Sequence, residues 1–79
     1  MAATATKNPI TNLMYDWLTV LQNKAQAVAA YEKYLRDAEA EKSTECVAML
    51  RKLHDQDVQS LEEVKNHVYG MIARSHRGT

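Results

Sequence analysis

The residues best placed to do chemistry in this chain are one histidine and two carboxylates. His54 and Asp57 stand three apart in the tetrad His54-Asp55-Gln56-Asp57. Around them, Val47, Leu50, Leu61, Val64, Val68 and Ile72 fall on one side of a helix read at about 100° per residue. Asp57 lies near the centre of that apolar side, with His54 one turn before it. Imidazole and carboxylate groups on a buried stripe must either satisfy one another or hold a ligand. A third group comes from earlier in the chain. Glu32 projects within about 40° of the middle of its own apolar stripe, with Lys24 and Glu39 nearby. Folding the chain about Lys42 and Ser43 sets Glu32 level with Leu53 and His54, and Asp57 one turn of about 5.4 Å further from the reversal. Glu32, His54 and Asp57 are therefore expected to converge inside the fold. They would form a mutually satisfied polar layer, with Asp57 paired to His54 or Lys24, or a carboxylate and imidazole metal site.

Two helices must position them. Asn8-Pro9 has the chemistry of a helix start, since Asn accepts from free amides and Pro suits the first helical position. Ile10, Met14, Trp17, Leu21, Val28 and Leu35 then recur at spacings of three, four and seven. No Gly or Pro occurs between Ile10 and Ala40, so the first helix is predicted over about 9–41. Glu41-Lys42-Ser43-Thr44 breaks the pattern. Ser43 or Thr44 can cap a second helix predicted over about 44–73, and Glu45 suits its positive end. So short a link permits only a reversal, which makes the helices antiparallel. Residues 1–8 and 74–79 lack periodicity and are expected to be flexible tails. Met14, Trp17, Leu21, Val28, Tyr31 and Leu35 on the first helix, with Leu50, Leu61, Val64 and Val68 on the second, are the expected anchors of the core and of a dimer interface.

Composition removes several classes of function. Seventy-nine residues make one domain near the lower limit for a self-sufficient core. Ten basic residues balance ten acidic ones, and the basic residues form no dense patch with interleaved aromatics, so nucleic-acid binding is not expected. No segment approaches the roughly 20 apolar residues of a membrane span, and the first residues lack a signal-peptide core. A single cysteine, Cys46, fits a reducing compartment, and a cytoplasmic protein is expected. Cys46 borders the apolar stripe without a base spaced to activate it, and is read as a small core residue. Glu63 and His67, four apart, are read as solvated surface. No catalytic residue is assigned.

The stretch Tyr15–Val68 resembles the short ferritin-like or rubrerythrin-like helical hairpins, each equal to half of a four-helix bundle. The resemblance is carried by Leu18-Thr19-Val20-Leu21-Gln22, by Ala30-Tyr31-Glu32-Lys33-Tyr34 with Asp37-Ala38-Glu39, and by Leu53-His54-Asp55-Gln56-Asp57. It implies an all-α homodimer that completes a four-helix bundle and, in metal-loading members, a carboxylate-bridged iron pair. Glu32 matches the family's single Glu. His54-x-x-Asp57 keeps the spacing of its Glu-x-x-His but reverses the order and shortens the acid. The expected function is a structural or protein-interaction module that pairs with itself. The alternatives are an iron- or manganese-binding protein using Glu32, His54 and Asp57, and a regulatory adaptor that pairs with another helical protein.

Overall fold

In a computed structural model, residues 9–77 are described, with side chains through residue 75. The expected tails at residues 1–8 and at 78–79 lie outside the described residues. The fold is all-helical: α1 spans Asn12–Ala40 and α2 spans Thr44–Arg77, packed against each other as a hairpin. Both outer boundaries differ from those predicted. Pro9 and Ile10 precede α1 in a bend, and Thr11 is its cap, with the Thr11 side chain accepting from the Met14 amide at 3.1 Å. Tyr15 N–H donates to the Thr11 carbonyl at 2.9 Å, so the helical ladder begins there. At the other end α2 continues through residues 74–77, which were expected to be loose; no Gly or Pro interrupts the chain between Met71 and Arg77.

The reversal is built from three residues. Lys42 adopts a left-handed conformation with φ 56°. The Lys42 amide donates to the Glu39 carbonyl at 3.0 Å and the Ser43 amide to the Ala38 carbonyl at 3.1 Å, the paired bonds of a Schellman termination. Ser43 then caps α2, its Oγ accepting from the Cys46 amide at 3.2 Å. One serine thus closes the first helix and opens the second.

The hairpin seam follows a strict alternation of three- and four-residue steps. On α1 the residues screened from solvent include the series Met14, Leu21, Val28 and Leu35, and the series Trp17, Lys24, Tyr31 and Ala38. On α2 they include Val47, His54, Leu61 and Val68, and Leu50, Asp57, Val64 and Met71. Each series repeats every seven residues, the signature of a coiled coil. Ile72, expected on the stripe, is 49 % exposed and its neighbour Met71 takes the seam position. The loop sets the register: Ala38 stands level with Val47, Tyr31 with His54, Val28 with Asp57, and Met14 with Met71. Little of this seam is enclosed. Only Ala38 at 8 % and Val68 at 2 % exposure are buried among the described residues. The radius of gyration is 18.3 Å, against about 12 Å for a compact chain of this length.

Candidate functional site

The polar centre of the hairpin is a layer formed by Tyr31, His54 and Asp57, where α1 meets α2 about a third of the way from the loop. The Tyr31 hydroxyl donates to Asp57 Oδ2 at 2.7 Å. The Tyr31 ring stands edge-on to the His54 imidazole, centroids 5.6 Å apart at 83°, and edge-on to Tyr34 at the same centroid distance. His54 Nδ1 approaches Asp55 Oδ1 at 3.2 Å, on the solvent side. The hydrogen bond to Asp57, then partial burial, then the carboxylate charge hold the Tyr31 hydroxyl above its ordinary pKa.

Glu32 does not join this layer. It is level with His54 along the axis, as expected, but its side chain is 80 % exposed and reaches Arg36, with 3.9 Å between Oε1 and the guanidinium. The reason is the helical period. A straight helix read at 3.6 residues per turn drifts by about 20° per heptad from a seam that repeats every 3.5. Over the heptads between Met14 and Glu32, that drift carries Glu32 on paper into the stripe that Tyr31 occupies in the fold. The same drift misplaces Ile72. The partner of Asp57 is accordingly Tyr31, which the sequence marked as an anchor of the core. Its position one residue before Glu32 and level with His54 was the available signal.

Lys24 and Asp57 share one flank. With Val20, Asn23 and Ala27 they line a groove of about 220 Å³. Lys24 is half-buried in the seam. Among the described residues it has no hydrogen-bond or ion-pair partner, and the second carboxylate oxygen of Asp57 is likewise unengaged. Cys46, read from sequence as a small core residue, is exposed and free, because it precedes the seam residue Val47 by one position and so falls on the flank. His67 lies against Trp17, ring centroids 4.4 Å apart, and Glu63 is exposed.

The chemistry available here is hydrogen bonding and charge pairing. Among the described residues, no group of three or more His, Cys, Asp or Glu side chains is gathered as a metal would require. No described helix is long and apolar enough to cross a membrane. No protein-family model, curated protein or solved structure matches the chain.

Proposed function

We propose that this protein is a self-associating interaction module, two copies of the hairpin completing a four-helix bundle around the Tyr31–His54–Asp57 layer. One observation carries the reading. The chain exposes 6359 Å², where a compact monomer of 9.0 kDa would expose about 4,900 Å². An open hairpin carries more surface than a compact chain of its mass, and large apolar side chains are part of what it leaves uncovered. Leu13, Val20, Tyr34 and Leu53 are among the side chains left exposed. Large apolar side chains in such number on a small helical unit mark a surface that a partner covers.

In this role the polar layer selects the pairing rather than strengthening it. A polar group at a seam position costs stability in every register except the one that satisfies it. The Tyr31–Asp57 bond does this within the hairpin. A metal-binding role for iron or manganese would require Glu32 to abandon Arg36 and turn into the layer, and no observation favours that movement. An adaptor role would place a different helical protein on the same surface.

Light scattering over a range of concentrations tests the reading. The expected molar mass is twice 9.0 kDa, with a melting temperature that rises with protein concentration. A mass of one chain at tens of micromolar, with a concentration-independent melt, refutes self-association.

A further inference from the structure

The two charged side chains that share the groove stand symmetrically about the middle of α1. α1 runs from Asn12 to Ala40, so its midpoint is Gln26. Lys24 lies two residues to one side of that level. Asp57, level with Val28 in the register set by the loop, lies two residues to the other. Each is half-buried in the seam, and each faces the same flank.

That flank differs from its opposite. Leu13, Val20, Ala27 and Tyr34 recur along it every seven residues on α1, joined by Leu53 and Ser60 on α2, and Lys24 and Asp57 are the lysine and carboxylate that face it between its two ends. The opposite flank also exposes Leu18, Val58 and Ile72, but it interleaves them with Glu32, Glu39, Arg51 and Lys65, of which Glu39 and Arg51 are paired at 3.9 Å. Covering the opposite flank would desolvate four charged side chains, whereas the first flank presents two that are already half-buried and of opposite sign.

We propose that the flank carrying Lys24 and Asp57 seats a second copy of this chain running antiparallel, so that Lys24 of each copy pairs with Asp57 of the other. The proposal rests on the self-association argued above and adds its face, its orientation and its ion pairs. Two hairpins that overlap fully are related by a two-fold axis at the level of the midpoint, lying across the helices in the interface. That rotation carries the level of Lys24 onto the level of the partner's Asp57, and both pairs form at once. The Lys24 ammonium, which has no partner among the described residues, donates, and the unengaged oxygen of Asp57 accepts. Ala27 and Ser60 stand near the axis and are small enough for close approach. Charge at the ends favours the same orientation. Arg74 lies at the open end of the flank and Glu41 at the loop end. The antiparallel arrangement brings these opposite charges to one level, whereas a parallel one sets Arg74 level with Arg74 and Glu41 level with Glu41.

The pairing is tested by charge reversal. Lys24→Asp and Asp57→Lys each place like charges at both junctions, so each variant alone should dissociate at a concentration at least tenfold higher than the wild type. An equimolar mixture of the two variants restores both pairs across the two-fold and should return to the mass of two chains. Wild type that dimerises while the single variants dimerise equally well, or a mixture that gains nothing, overturns the pairing and leaves self-association standing. Wild type of one-chain mass overturns both. A second measurement needs no substitution. Cys46 is the only cysteine and is exposed, so a nitroxide can be attached there in the native sequence. Antiparallel copies place the two labels about 40 Å apart at 1.5 Å of rise per residue, and parallel copies bring them within about 20 Å. A dipolar distance near the longer value is expected, and the shorter one overturns the orientation.

Discussion

The Tyr31–Asp57 hydrogen bond couples stability to pH in a defined direction. The Tyr31 pKa is raised in the folded state, so the folded chain holds that proton more tightly than the unfolded one. The corresponding stability is fully present below the unfolded tyrosine value of about 10 and is lost as pH rises through the higher folded value. Thermal melts between pH 8 and 12 should therefore show a steeper alkaline decline for the wild type than for Tyr31→Phe. Equal declines would mean that the hydroxyl and Asp57 are not coupled in solution. Glu32 provides the contrasting case. Its side chain is largely solvated and, among the described residues, its partner is Arg36, so Glu32→Ala should change stability by no more than about 0.5 kcal/mol in chemical denaturation. A loss of several kcal/mol, or a stoichiometric metal that disappears in this variant, would return Glu32 to the polar centre. At this scale the sequence marked His54 and Asp57 as special, because polar residues inside an apolar repeat are visible without coordinates. It did not reveal that the phenol of Tyr31 satisfies Asp57, because a drift of 20° per heptad is enough to exchange neighbouring residues on a long helix.

At the scale of elements the loop carries the sharpest expectations. Lys42 occupies a left-handed conformation in which a side chain crowds its own backbone, a cost that glycine avoids. Lys42→Gly should stabilise the hairpin by about 0.5–1 kcal/mol, with the gain appearing in the denaturation midpoint and not in helix content. Ser43→Ala removes the acceptor of the Cys46 amide and should cost about 1 kcal/mol. Opposite signs at adjacent residues make the pair a stringent check on the turn. The break at residues 41–43 was legible because Ser43 is a strong cap and the apolar series on either side are offset. The start of α1 was not, because Asn8-Pro9 and Thr11 both carry start chemistry within one turn. The hydrogen bonds to Thr11 decide between them.

Trp17 connects the hairpin to the assembly. It occupies a seam position level with Val68, lies against His67, and remains partly exposed in the single chain. A partly covered indole contributes only part of its transfer free energy, whereas one closed over by a second copy contributes nearly all of it. Trp17→Ala should therefore cost roughly 3–5 kcal/mol per chain when measured on the assembled protein, the value of a buried tryptophan. If the hairpin stays alone, the cost should be smaller. The same residue reports assembly directly, since it is the only tryptophan. Its emission should be blue-shifted at high concentration and move toward that of free indole on dilution, in step with the fall in molar mass. Emission that holds constant while the mass halves would place the interface away from Trp17, and with it away from the flank that carries Lys24 and Asp57.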